Sequence, residues 1–199
     1  MENGFLRNMK VGEEKIIETA YKLFRQRGIR SIRMQKVARI CGISVLDINL
    51  QFKSKKDLLL AVVRYIVNKK AAYLLISAPL APSAVTELNT FFKFVDDTIE
   101  ALGSEILVEL KRYHPLALDQ LQDVVDGKLI PCLRQNVQRG LTEGFYREGL
   151  DAELYASTYF YILRIVLESE GDWTQTKKAI EHTNDIFLHG VLNVKGMRV

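Results

Sequence analysis

The chain has 199 residues, of which 48% are hydrophobic and 26% are charged, and its net charge is +4 at pH 7. This length and composition suit one large or two small globular domains and exclude a largely disordered polymer. No run of about 18 apolar residues occurs, and the first ten residues lack the apolar core of a signal peptide. We therefore expect a cytoplasmic protein without a membrane span.

The charge is unevenly distributed along the chain. Residues 1–70 contain 16 Lys and Arg against 6 Asp and Glu, a net charge of +10, whereas residues 71–199 contain 12 against 18, a net charge of −6. Such asymmetry favours a polyanionic partner for the first part, namely nucleic acid, over an ordinary solvated helical surface.

Apolar residues at helical spacing predict four short helices between residues 16 and 62. The first pattern ends at Gly28, and the second covers 34–41 and stops at Gly42, which supplies the left-handed residue that a tight turn requires. Segments 44–47 and 54–57 have the spacing of capping boxes, so the third and fourth helices begin there. About two helical turns fit between these caps, which is the size of a DNA-reading helix in a helix-turn-helix.

The remaining sequence continues the helical pattern and shows no strand-like alternation. The fourth helix runs to about Ile76 and ends before Pro79. Further helices are predicted from Ser83 to near Gly103, over 104–113, through 118–127, from Leu129 to Leu141, from Asp151 to Glu168 and from Asp172 to Val191. We predict an all-α protein of about nine or ten helices. Its predicted parts are an N-terminal arm and helix-turn-helix head over 1–54, a connecting helix over 55–77 and a C-terminal domain over 78–199.

Four motifs occur together in the first quarter of the chain. They are LFRQRG at the end of the first helix, VAxxxGIS across the turn, Phe52 after the third helix and SKKDLLLAV at the start of the fourth. In combination they resemble the N-terminal domain of the TetR family of bacterial transcriptional regulators. The resemblance implies a regulator, in most cases a repressor, that binds a palindromic operator in double-stranded DNA as a homodimer. It also implies a C-terminal domain that binds a small-molecule effector.

The third helix departs from the family pattern, which has a basic residue, glycine, threonine and tyrosine at positions that are all different here. This chain reads Ser44-Val45-Leu46-Asp47-Ile48-Asn49-Leu50-Gln51-Phe52, and Arg33 stands where the family has a small hydroxyl residue. By chemistry, Asp47 can close a capping box or accept a hydrogen bond from cytosine. Val45 and Leu46 can contact a thymine methyl group, and Asn49 can bond an adenine edge. Gln51 can do the same or be an ordinary solvated residue.

Basic residues flank this helix and indicate that phosphate binding is retained. Lys55 matches a family phosphate contact at a helix N-terminus, where backbone amides already favour anions. The candidate DNA-binding residues are Arg33, Gln35, Ser44, Val45, Leu46, Asp47, Asn49, Gln51, Lys53 and Lys55.

Residues 154–167 place large apolar side chains on more than one side of a helix, so this helix must be covered on both sides. The second side is covered either by the rest of a monomeric core or by another subunit. In the TetR family the last two helices pair with those of a second subunit. The candidate dimerisation residues are Tyr155, Tyr159, Phe160, Leu163, Ile180 and Phe187.

Candidates for the effector pocket that the resemblance implies are Phe91, Phe94, Tyr113 and His114, with ordinary core packing as the alternative. No metal or cofactor site is predicted, because the two cysteines and three histidines lack ligand spacing and no phosphate-binding glycine loop occurs. An enzyme is therefore not expected. Two functions stay open: a ligand-responsive DNA-binding regulator, and a TetR-like protein that binds a ligand or partner without reading an operator.

Overall fold

The computed structural model describes residues 11–113, 119, 121–169 and 171–198. Within these ranges the chain forms eight α-helices of seven or more residues and no β-strand, so the predicted all-α class is confirmed. The helices are α1 Val11–Arg27, α2 Met34–Cys41, α3 Val45–Gln51, α4 Lys55–Ser77, α5 Ala84–Tyr113, α6 Ile130–Glu143, α7 Ala152–Glu168 and α8 Trp173–Val191. None of these helices has the length and hydropathy needed to cross a membrane.

The predicted count of nine or ten helices is slightly too high, for two local reasons. Helix α5 covers two predicted helices, because the chain kinks at Gly103, with φ 75° and ψ 164°, and then resumes. The helix predicted to end at Gly127 instead continues through a π-helical turn, Val125–Leu129, into α6. Pro131 lies in the first turn of α6, where its missing N–H leaves no bond of that helix unmade.

Helices α1, α2 and α3 pack on one another and on α4 to form a small head. Phe24, Ala38, Ile48 and Leu58 are completely buried or nearly so in its core. The side chains of Ser44 and Ser54 cap α3 and α4, as their spacing predicts, and Gly42 ends α2 in the left-handed conformation.

The C-terminal helices surround an aromatic cluster centred on Tyr159. The ring centroid of Tyr159 lies 5.1–5.8 Å from those of Phe91, Phe92, Phe160 and Phe187. Its hydroxyl donates to Asn184 Oδ1 at 2.7 Å, so the polar end of this buried ring is satisfied.

The residues after α8 return to the loop between α6 and α7, and we call Leu192 to Gly196 the C-terminal strap. Leu192 forms an isolated antiparallel bridge with Tyr146. The Asn193 backbone N–H donates to Phe145 O at 3.0 Å, and its side-chain amide donates to Gly144 O and Tyr146 O at 2.9 and 3.1 Å. The strap therefore fastens the end of α8 to the loop that leads into α7.

Candidate nucleic-acid interface and internal cavity

Helix α3 buries one side chain completely, half-buries Val45 and exposes the rest. Ile48 is its buried residue, and at about 100° per residue Leu46 and Leu50 lie almost directly opposite it. These two side chains are 70% and 75% exposed, and we call them the leucine crest. Asp47 and Asn49 lie on either side of the crest and are also exposed. The outermost surface of α3 is therefore apolar.

Asp47 closes the capping box that its spacing predicts. Its backbone N–H donates to Ser44 Oγ at 3.0 Å, and its carboxylate accepts from the Ser44 N–H at 3.1 Å and from the Ser44 hydroxyl at 2.7 Å. The bond from the Ser44 hydroxyl, followed by the one from the Ser44 N–H, holds the pKa of Asp47 below its ordinary value. The carboxylate is therefore ionised at neutral pH and repels nearby phosphates.

We expect Asp47→Asn to raise the affinity of the head for DNA about two- to fivefold at low salt, because the amide oxygen keeps the cap while the negative charge disappears. Fluorescence anisotropy with a duplex of random sequence measures this change. Asp97→Asn in the C-terminal domain makes the same change in net charge and serves as the control. If Asp47→Asn binds DNA more weakly than the wild type while Asp97→Asn does not, the carboxylate of Asp47 contacts a base directly.

Four exposed cations lie in the segments before and after α3: Arg33, Arg39, Lys53 and Lys56. None of them forms an ion pair or a side-chain hydrogen bond within the described part of the chain. Lys55 differs, because its ammonium donates to Ile29 O and Ile32 O at 3.0 and 3.3 Å and so braces the turn before α2. A phosphate bound by Lys55, as predicted, would have to compete with these two carbonyls for the same ammonium group.

The other predicted DNA-binding positions are at the surface as well. Gln35, Ser44, Asn49 and Gln51 are exposed, and Val45 is half-buried. Leu50 is also exposed but is not among the predicted DNA-binding residues, although its helical position relative to Ile48 identifies it.

A cavity of about 540 Å³ lies between α4, α5, α7 and the turn before α6. This volume is in the range of small-molecule sites. The apolar lining residues are Val63, Val67, Phe94, Val95, Ile99, Leu102, Leu107, Leu110, Leu121, Val125, Leu129, Ile130, Phe160, Leu163 and Leu167, and the polar or amphipathic ones are Thr98, Gln122, Asp126, Ser157, Tyr161 and Arg164.

The charged groups of the lining already have partners within the protein. Arg164 pairs with Asp119 and Glu168, and the Gln122 amide donates to Asp126 Oδ1 at 2.7 Å. The cavity therefore offers a guest mainly apolar contact, with no unpaired cationic side chain in its described lining.

The helix segment that ends at Gly103 connects the cavity to the head. Ile99 and Leu102 line the cavity from this segment. On its other side, Tyr21 donates to Ala101 O at 2.7 Å, and Arg25 donates to Glu100 O and Ala101 O at 2.9 and 2.8 Å. These are carbonyls of the last turn before the kink, so two side chains of α1 cap a helix that borders the cavity.

Residues 16–62 match the family described as "Bacterial regulatory proteins, tetR family". The N-terminal domain belongs to the TetR family. Two uncharacterised HTH-type transcriptional regulators of Bacillus subtilis (strain 168) are similar in this part: YuxN is 44% identical over 61 residues and YerO is 39% identical over 60. These matches cover 31% and 30% of this chain but 21% of the length of each relative.

Solved structures share the fold over most of the chain, at identities too low to show more than the fold. A transcriptional regulator from Cytophaga hutchinsonii ATCC 33406 has a TM-score of 0.72 at 17% identity, covering 90% of this chain and 98% of that one. FadR from Bacillus subtilis, in complex with stearoyl-CoA, has a TM-score of 0.62 at 16% identity, covering 89% and 98%. A putative regulator from Saccharomonospora viridis, in complex with choline, has a TM-score of 0.64 at 21% identity, covering 91% and 97%.

One of the four pocket candidates, Phe94, lines the cavity below the TetR-family head. Phe91 lies beside the cavity in the aromatic cluster, with its ring centroid 6.0 Å from that of Phe94. Tyr113 is outside it, 4.5 Å beneath the guanidinium of Arg30, and His114 falls outside the described residues. Most lining residues are ordinary aliphatic side chains, which carry no local sequence signal of a cavity.

Three of the predicted dimerisation residues, Tyr159, Leu163 and Ile180, are buried within the subunit and offer little surface to a second one. Their place in a dimer interface stays a prediction. Tyr155, Phe160 and Phe187 are half-buried and pack against the same core. The exposed apolar side chains of α7 and α8 are instead Leu154, Tyr161, Ile165 and Ile186, which we call the α7–α8 face.

Proposed function

We propose that this protein is a cytoplasmic, homodimeric transcriptional repressor that binds a palindromic operator and releases it when an apolar molecule fills the cavity. The observation that carries this proposal is that the cavity touches both elements that hold the TetR-family head. Val63 and Val67 of α4 line it on one side, and Ile99 and Leu102 line it next to the carbonyls that Tyr21 and Arg25 bind.

A guest in this cavity would act through a shift between two arrangements of the head. Expansion of the lining moves α4 and the end of the α5 segment before Gly103 relative to each other. Because α1 is hydrogen-bonded to that segment, the head follows, and the separation of the two α3 helices in the dimer changes. A guest that binds one arrangement more tightly than the other then shifts the population away from the DNA-bound form.

The lining favours a guest with a long apolar portion and a weak charge. The FadR structure from Bacillus subtilis contains stearoyl-CoA, whose acyl chain has this character, whereas the choline bound by the Saccharomonospora viridis regulator is a small cation. With Arg164 and Asp126 already engaged by neighbouring side chains, an acyl chain fits the cavity of this protein better than a small cation does.

Selection of duplexes from a random pool, followed by gel shifts on the intergenic DNA beside the gene, tests the DNA-binding part of this proposal. We expect a palindromic sequence to be enriched and oleate to release it. Failure to enrich any sequence at low salt would favour a TetR-like protein that binds a ligand or partner without an operator. The lack of a basic residue in α3 is the observation in favour of that second function.

We expect Ser157→Phe to weaken binding of the neutral dye N-phenyl-1-naphthylamine about tenfold or more, because the added ring occupies cavity space that the dye needs. Titration of dye fluorescence measures the affinity. Thr142→Phe, on the exposed side of α6, adds the same ring elsewhere and should leave the affinity unchanged. Equal dye binding by both variants would place the apolar guest outside this cavity.

A further inference from the structure

We propose that the leucine crest, Leu46 and Leu50, recognises thymine C5-methyl groups in the major groove. The operator half-site would then be read at thymines by apolar contact. This inference rests on the proposed function, because it assumes that the head binds DNA.

The chemistry of α3 restricts what it can read. Guanine is most often recognised by an Arg or Lys that bonds O6 and N7, but residues 44–52 contain neither. A leucine side chain has no donor or acceptor, and the thymine methyl is the apolar group that base edges present in the major groove. The two side chains that project furthest from α3 therefore match thymine and no other base.

The geometry of the crest fits two nearby thymines. Leu46 and Leu50 are one helical turn apart on the face opposite Ile48, about 6 Å along the helix axis. Base pairs along a strand are about 3.4 Å apart, so the two side chains reach bases separated by about two steps. Both side chains are largely exposed in the subunit and available for such contact.

The charge around the crest favours DNA over an apolar protein partner. Arg33, Arg39, Lys53 and Lys56 flank α3 in the sequence, are exposed, and have no partner within the described residues. A protein partner for two leucines would gain little from these cations, whereas the phosphates on both sides of a groove need them. Asn49 beside the crest can bond an adenine edge, which again favours A·T pairs.

Replacing thymine with deoxyuridine in the selected half-sites tests the inference, because this change deletes only the methyl groups. We expect affinity to fall about fourfold for each contacted methyl, and about 250-fold for an operator that contacts four. For the double variant Leu46→Ala/Leu50→Ala, replacing thymine with deoxyuridine should change the affinity less than twofold. Asn49→Ala, which leaves the crest intact, should keep the full uracil effect.

Three outcomes would overturn the inference and are distinguishable from one another. A selected operator that tolerates deoxyuridine would leave the proposed function standing and remove the methyl contact. Loss of self-association in Leu46→Ala/Leu50→Ala, measured by sedimentation, would make the crest a protein interface. Failure of the wild-type protein to select any sequence would reject the proposed function together with this inference. Circular dichroism shows whether the variant stays folded.

Discussion

Replacing Ile165 with lysine is expected to convert the proposed dimer into monomers and to weaken operator binding at least about 100-fold. Ile165 belongs to the α7–α8 face and is 50% exposed in the subunit, and Ile186 of α8 is 56% exposed. If this face pairs with its symmetric copy, each substitution occurs twice in one interface. Burying two unpaired ammonium groups there costs several kcal/mol, which is enough for such a loss.

Sedimentation velocity measures the oligomeric state, and gel shifts measure operator binding. Ile76→Lys is the matched control, because Ile76 is 72% exposed at the C-terminal end of α4, outside the α7–α8 face. We expect the control to remain dimeric. If Ile165→Lys sediments as a dimer, the subunits pair through another surface.

Replacing Gly103 with alanine is expected to lower the free energy of unfolding by about 2 kcal/mol and the Tm by roughly 4–8 °C. Gly103 has φ 75° and ψ 164°, a conformation that residues with a Cβ rarely adopt. A straight α5 would relieve this strain. The carbonyls of Glu100 and Ala101 would then accept bonds from backbone N–H groups of the same helix, in competition with the bonds that Arg25 and Tyr21 donate to them. The variant should therefore also respond less to a guest in the cavity.

Urea unfolding followed by circular dichroism measures the stability change. The control is Gly12→Ala in α1, where an added Cβ meets no atom within 4 Å and the helix tolerates alanine. We expect this control to change stability by less than about 0.5 kcal/mol. A Gly103→Ala protein as stable as the wild type would show that the kink is not a required part of the fold.

Local chemistry made the helices of this protein predictable. The side chains of Ser44, Ser54, Asp151 and Asp172 each accept a bond from a backbone N–H three residues later, so their signal lies within four consecutive positions. The sequence could not show which side of α7 faces inward, because that helix is apolar on several sides. Packing against distant residues decides that Tyr159 is buried and Tyr161 is exposed.

The link between the cavity and the head also depends on contacts without a local signal. Tyr21 and Arg25 bind carbonyls 75–80 positions away. Lys55 shows a related limit, because a family motif suggested a phosphate contact, whereas its ammonium bonds carbonyls 23 and 26 residues earlier. The leucine crest, in contrast, follows from the position of Ile48 and the helical repeat alone.

The C-terminal strap has a consequence for how the protein can be shortened or tagged. Its bonds to residues 143–146 hold the last turn of α8 against the end of α6 and the loop that leads into α7. Deleting the chain after Val191 would leave the four carbonyls of residues 143–146 without these donors and allow the end of α8 to move away from α6. Residues 192–196 therefore act as a clasp, and a purification tag that displaces them would loosen this end of α8.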